Sequence, residues 1–222
     1  ARVCGEDIRT NPVAVKEKIG YLPEGAPLYG DMTVKGFLEF IASVRNLSRA
    51  AGQRRISDVV ERMGLQGVMF QRIETLSKGF KRRVGLAQAI LHDPEVLILD
   101  EPANGLDPEA RIEMRELLLR LSELGKTLIV TSHILPELSH ICDRVAILHQ
   151  GQLKAIGTLD EVTRQVQQTR MIEVQVAGQD QLTLAESVLK ESLADESGIT
   201  VSVAESMIRF RSGQTDAELG TT

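Results

Sequence analysis

Hydrophobic positions along the chain alternate between two spacings, one suited to strands and one to helices. Val3 to Ile8 reads as the end of a hairpin, and Lys18 to Leu22 as a short strand stopped by Pro23, so residues 1–22 predict strand, turn, strand. The loop Pro23-Glu24-Gly25-Ala26-Pro27 is punctuated too densely by Pro and Gly for regular structure. Thr33 is the expected N-cap of a helix whose apolar residues Phe37, Leu38, Ile41 and Val44 fall at helical spacing. Ile56, Val59, Val60 and Met63 share one face of a second helix over about 53–64, which Gly64 stops. Residues 65–75 read as a connector. Ser77 caps a longer helix to about His92, with Val84, Leu86, Ala87, Ala89, Ile90 and Leu91 on its apolar face.

Val96 to Leu99 is a continuous apolar run, the pattern of a strand buried on both faces. A helix over about 108–124 follows, with Pro108 in its first turn and Gly125 as its stop. Thr127 to Val130 predicts another buried strand, ending in Thr131-Ser132-His133, and Pro136 to Cys142 a short helix. Arg144 to Leu148 turns through Gln150-Gly151 into a partner strand around Gln152–Ile156, and Thr158 caps a helix to about Val166. Strand and helix alternating from 18 to 166 imply an α/β fold, a parallel or mixed sheet with helices on its faces. After 166 the texture changes: Met171–Ala177, Ile199–Ala204 and Met207–Arg211 read as strands around a helix at about 181–194. The expected division is a main domain over 1–165 and a small α+β appendage over 166–222.

Composition narrows the partners. A net charge of −5 and 3% aromatic residues without Trp argue against a nucleic-acid partner. Cys4 and Cys142 are expected as free thiols. No apolar run reaches the roughly 18 to 20 residues of a spanning helix, and no signal peptide is visible. The chain starts with Ala1 rather than Met, which leads to the expectation that it begins inside a longer protein.

Chemistry concentrates between Leu76 and His133. Asp100 and Glu101 end an apolar run at the sheet edge where ligands sit in open α/β folds. An Asp there suits Mg²⁺, and an adjacent Glu suits a water aimed for in-line attack; the plain alternative is a solvated or capping carboxylate. Ser77 and Gly79 at a helix N-terminus form an anion site able to contact a γ-phosphate, although a Ser before a helix is usually only a cap. Lys81, Arg82 and Arg83 are expected to be a solvated helix face with ion-pair partners rather than a nucleic-acid patch. His133 ends the strand after the carboxylates, where it can donate to a phosphate oxygen or be structural.

Taken in order, these residues resemble the ATP-binding cassette (ABC) ATPases. Leu76–Phe80 looks like the signature motif, usually Leu-Ser-Gly-Gly-Gln, and Val96–Glu101 like Walker B with its catalytic Glu. Asn104–Asp107 looks like the D-loop, His133 like the switch histidine, and Tyr21-Leu22-Pro23-Glu24 sits where the family has its Q-loop. The resemblance covers about residues 1–165, with 33–92 as the helical subdomain. Ile19–Glu24 and Ala103–Pro108 are similar to ATPase subunits of bacterial ABC-2 type exporters.

The resemblance implies ATP and Mg²⁺ as cofactors and a head-to-tail dimer with a second ABC subunit, identical or not. In that dimer Ser77, Lys78 and Gly79 clasp the γ-phosphate held by the other subunit. Asp100 organises Mg²⁺, Glu101 is the general base, His133 orients phosphate and water, and Asp107 couples the two sites. It also implies a transmembrane permease docking near the Glu24 loop and the helices at 34–64, on the cytoplasmic face of the membrane. The sequence departs from the family pattern at Lys78, which replaces Gly, at Phe80, which replaces Gln, and at Glu24, which replaces the Gln that ligates Mg²⁺. It contains no Walker A, Gly-x-x-x-x-Gly-Lys-Ser/Thr, and no adenine-stacking aromatic. The expected core therefore lacks its N-terminal strands and P-loop, and the chain is expected to be inactive alone. The alternatives are a non-hydrolysing regulatory or dimerisation module and a soluble ABC protein of translation or DNA repair.

Overall fold

The strand that ends in the two carboxylates, β4 (Val96–Asp100), is central to a three-stranded parallel sheet. Its neighbours are β3 (Ile19–Leu22) and β5 (Thr127–Thr131), with Leu22 opposite Leu99 and Asp100 opposite Thr131. The computed structural model describes residues 1–25, 28–134, 141–167, 170–175, 181, 183–185, 187–188, 200–202 and 207–212. They fall into two units, Ala1–Ile141 and Cys142–Thr222.

In the first unit, α2 (Val34–Val44), α3 (Arg49–Met63), α4 (Lys78–Ile90) and α5 (Pro108–Glu123) supply most of a single apolar core. Leu22, Leu97 and Leu99 point into it and are at most 1% exposed. Burying each such side chain contributes about 2 kcal/mol. The opposite face departs from the expectation of strands buried on both sides. Ile98 is only half-buried, and its aligned neighbours Tyr21 and Ile129 are 48% and 52% exposed. Helix α4 covers one face at Gly20, and strand alternation sends Tyr21, Ile98 and Ile129 to the other.

Local signals account for the helix starts. Thr33, Ser48, Ser77 and Asp107 each accept a hydrogen bond from the backbone N–H three residues on. Gly64 stops α3 in the left-handed region, at φ 65°. Helix α3 starts earlier than expected because its first turns, Arg49 to Arg55, are too polar to show a period. Residues 65–75 contain two 3-10 turns, Gln66–Val68 and Ile73–Thr75. Ile73 N–H donates to Met32 O at 2.9 Å and Glu74 N–H to Gly30 O at 2.9 Å, tying this connector to the start of α2.

Two expectations are corrected near the N-terminus and in α4. Residues Pro12–Lys18 form a helix, α1, between a hairpin of β1 (Arg2–Val3) and β2 (Glu6–Asp7) and strand β3. Pro12 is suited to a first helical turn, but Val15 is the one buried residue, so no apolar period announces the helix. The basic run of α4 is not a uniformly solvated face. Lys81 Nζ donates to Glu74 O, and Arg83 pairs with Glu113 at 2.5 Å and donates to Met63 O. Arg82 is buried, at 8% exposure.

At the far end of α4, His92 Nε2–H donates to Ile19 O at 3.0 Å. Burial, aided by Arg45, holds the ring's pKa down to about 4. The unfolded ring titrates near 6.5 and so binds more protons than the folded ring between these values. Stability is therefore complete above pH 6.5 and is lost as pH falls toward 4. The expected loss is about 2 kcal/mol after allowance for partial exposure, since each pH unit separating the two titrations is worth about 1.4 kcal/mol. Urea unfolding at pH 7 and pH 4.5 should show this difference, and His92→Gln should remove most of it.

The second unit contains a hairpin of β6 (Val145–His149) and β7 (Gln152–Gly157), with a register shift between Ile147 and Leu148. Helix α6 (Leu159–Gln167) packs on β7. It starts with a reciprocal capping box: Thr158 N–H donates to Glu161 and Glu161 N–H donates to Thr158 Oγ1. Strands β8 (Arg170–Gln175), β9 (Thr200–Ser202) and β10 (Met207–Ser212) form an antiparallel sheet in the order β8-β10-β9. Most of the expected helix from Pro136 falls on 135–140, outside the described residues. Within the expected helix at 181–194, positions 181, 183–185 and 187–188 are helical and the rest lie outside. Cys4 is exposed, Cys142 is half-buried, and both are free.

Candidate functional site

The C-terminal ends of β4 and β5 carry the first group of side chains. Thr131 Oγ1–H donates to Asp100 Oδ1 at 2.6 Å, and Glu101 N–H donates to the same hydroxyl at 3.0 Å. One threonine therefore fixes both the carboxylate and the backbone that follows. The chain leaves β4 with Glu101 at φ 48°, a left-handed conformation unusual for a residue with a Cβ. That turn directs the Glu101 side chain, 18% exposed, toward His133. His133 Nδ1 lies 2.9 Å from Glu101 Oε1, with Nδ1–H assigned as the donor. The next turn reaches back to the β3 exit, where Asn104 Nδ2–H donates to Glu24 Oε1 at 3.2 Å.

A second group lies at the helix starts. Ser77 Oγ accepts from Phe80 N–H at 3.3 Å and caps α4, while Asp107 Oδ1 accepts from Ala110 N–H at 2.9 Å and caps α5. The two starts are neighbours, since a Cβ on Gly79 would lie 3.5 Å from the Cβ of Ala110. That is ordinary contact, so packing within the chain does not require glycine at this position. Ser77 and Lys78 are exposed and Gly79 half-buried, leaving a helix N-terminus open to an anion.

The structure thus joins Asp100, Glu101, His133 and Glu24 around the ends of the parallel strands. Ser77, Lys78 and Gly79 lie beside Asp107. Asp100 and Glu24 are oxygen donors of the kind Mg²⁺ takes, and Mg²⁺ sites commonly use one or two carboxylates completed by water and phosphate. Among the described residues no cluster of three or more His, Cys, Asp or Glu could hold a metal by itself.

Sequence reasoning gave Thr131 no role of its own, placed Asn104 only within the D-loop resemblance, and read Arg82 as part of a solvated face. Thr131 had a signal, because aligned parallel strands put it opposite Asp100. Asn104 and Glu24 are 80 positions apart and carry no pairing signal. Arg82 is buried chiefly against its own charge: burial lowers its pKa, while Glu24, then Glu101 and Asp100, raise it.

Comparison with known proteins identifies the family. The family model described as ABC transporter matches residues 2–104. An uncharacterized ABC transporter ATP-binding protein of Synechocystis is 44% identical over 149 residues, 66% of this chain and 42% of that protein. The linearmycin resistance ATP-binding protein LnrL of Bacillus subtilis is 35% identical over 199 residues, 90% of this chain and 63% of that protein. The probable multidrug ABC transporter ATP-binding protein YbhF of Escherichia coli is 34% identical over 165 residues, 74% of this chain and 28% of that protein. A solved ATP binding subunit of an ABC transporter superposes with a TM-score of 0.63 at 32% identity, covering 74% of this chain and 68% of that one. The chain spans under half the length of the Synechocystis relative. With its P-loop NTPase α/β fold, the chain belongs to the ABC transporter ATP-binding proteins.

Proposed function

We propose that this chain is part of an ATP-hydrolysing subunit of an ABC transporter of the ABC-2 export type, energising a membrane permease by ATP-driven dimer closure. The observation that carries the reading is Glu101: a carboxylate held at a strand end by an unusual backbone turn and bonded to His133. Glu101 takes a proton from the attacking water, and His133 keeps the carboxylate aimed and helps align the γ-phosphate. Asp100, steadied by Thr131, and Glu24 would hold Mg²⁺. The metal supplies neutralisation of phosphate charge. Ser77, Lys78 and Gly79 present an open helix N-terminus to a nucleotide on a second subunit, and Asp107 joins the two sites across that dimer.

The names of two relatives, linearmycin resistance and probable multidrug transport, support export. An exposed aromatic surface supports a permease partner. Phe70 is 80% exposed, Tyr29 56% and Phe40 42%, with Tyr29 and Phe40 in edge-to-face contact at 5.7 Å. No helix among the described residues is long and apolar enough to cross a membrane. On this reading the subunit sits on the cytoplasmic face against a separate permease.

A second reading is a regulatory half that offers Ser77 and Gly79 to a nucleotide on another subunit without hydrolysing one itself; the exposed start of α4 at Ser77 and Lys78 favours it. Affinity purification from membranes solubilised in mild detergent tests the first reading. A polytopic membrane protein should co-purify, and Phe70→Asp should weaken its recovery. Recovery of ribosomes or DNA instead would reject the reading.

A further inference from the structure

Arg82 is a buried cation with no ion pair among the described residues, and its Nη1 has no hydrogen-bond partner there. A guanidinium taken from water without an acceptor is costly, so a compensating group is expected close by. Packing of α4 on β3 limits which group that is. A Cβ on Gly20 would overlap Ala89 O, and Gln88 Nε2–H donates to Tyr21 O at 3.1 Å. The last turns of α4 therefore lie on the first half of β3. Arg82, Gly85 and Ala89 follow one stripe of the helix at intervals of three and four residues. Two turns back along that stripe, about 10 Å at 1.5 Å per residue, the helix reaches the level where β3 gives way to Pro23 and Glu24. Arg82 belongs to that level.

Three carboxylates act on Arg82, and two of them are already engaged. Asp100 accepts from Thr131 and Glu101 bonds His133. Glu24, whose charge acts on Arg82 most strongly, is exposed and held by one long bond from the neutral amide of Asn104. An ionised carboxylate gains more from a guanidinium than from an amide.

We propose that Arg82 is a positioning residue whose buried guanidinium takes Glu24 from Asn104, seating the loop carboxylate against α4. Glu24 then has two positions, one on the turn that ends in Asp107 and one on the helix that Ser77 caps. The exchange links the β3 exit to the start of α4. That Glu24 so placed serves a metal site rests on the function proposed above; the pairing itself does not.

The test is a thermal-melting cycle on this chain with Arg82→Met, Glu24→Gln and the double variant. If the pair forms, Arg82→Met lowers the melting temperature of the wild-type chain by roughly 5 °C. In the Glu24→Gln background the same change removes an unpaired buried charge and leaves the temperature unchanged or higher. Arg82→Lys should recover most of the loss. A difference between backgrounds below roughly 3 °C overturns the proposal, because a packing role costs the same in both. Should Arg82→Met fail to fold, Arg82→Gln provides the same comparison. The cycle involves no hydrolysis, so loss of coupling with Glu101-dependent ATPase activity intact would defeat this pairing alone.

Discussion

Glu101→Gln should lower steady-state phosphate release by about 10²- to 10⁴-fold in an ATP-loaded protein that carries this chain. The size follows from the proposed role: a carboxylate can remove a proton from water as the nucleophile attacks, and a carboxamide cannot. The substitution spares the surroundings. Gln has the same shape as Glu and keeps an oxygen to accept from His133. The left-handed turn at φ 48° is no harder for Gln than for Glu. The fold, the Thr131 bond to Asp100 and ATP binding should therefore persist while turnover disappears. Turnover within threefold of wild type would remove Glu101 as the base.

Gly20→Ala should have the largest effect on stability, a loss of about 3 kcal/mol, the upper end of overpacking costs. A methyl group there would overlap Ala89 O and meet Leu97 Cδ2 at 2.6 Å and Pro94 Cγ at 2.9 Å. Leucine and proline carbons can shift slightly, but a helix backbone carbonyl can move only with the helix. The strain therefore falls on the packing of α4 against β3, and α4 carries Ser77, Gly79 and Arg82. Urea unfolding should show the loss in the midpoint. A midpoint unchanged within error would mean that α4 is not seated on β3 at Gly20.

What was legible in the sequence was local. Thr33, Ser77 and Thr158 announce helix starts because a cap acts over three residues, Pro108 announces another by fitting a first turn, and Gly64 announces a stop through its left-handed backbone. From β3 to β5 the order of strands and helices followed from apolar spacing, whereas α1 has no such period, and the candidate residues Asp100, Glu101 and His133 are brought together. Properties set by distant contacts were not legible. Tyr21 and Ile129 look like core residues in their own strands, yet they face away from the helices and are exposed. Arg82 and Arg83 look alike in a basic run, but a helical phase of about 100° separates a buried cation from one paired with Glu113. Glycine within a strand signals close approach at Gly20, but only the fold identifies Ala89 as the neighbour.

In the proposed function these residues supply two half-sites, with Glu101 acting on one nucleotide and Ser77 and Gly79 clasping another across a dimer. Sedimentation of a nucleotide-binding protein carrying this chain and Glu101→Gln, with MgATP, tests it most directly. The expected result is a stable ATP-bound dimer that returns to monomer when Gly79→Asp is added, because a carboxylate at that helix start repels the γ-phosphate. A dimer that persists with Gly79→Asp, or a Glu101→Gln protein that stays monomeric with ATP bound, would contradict it.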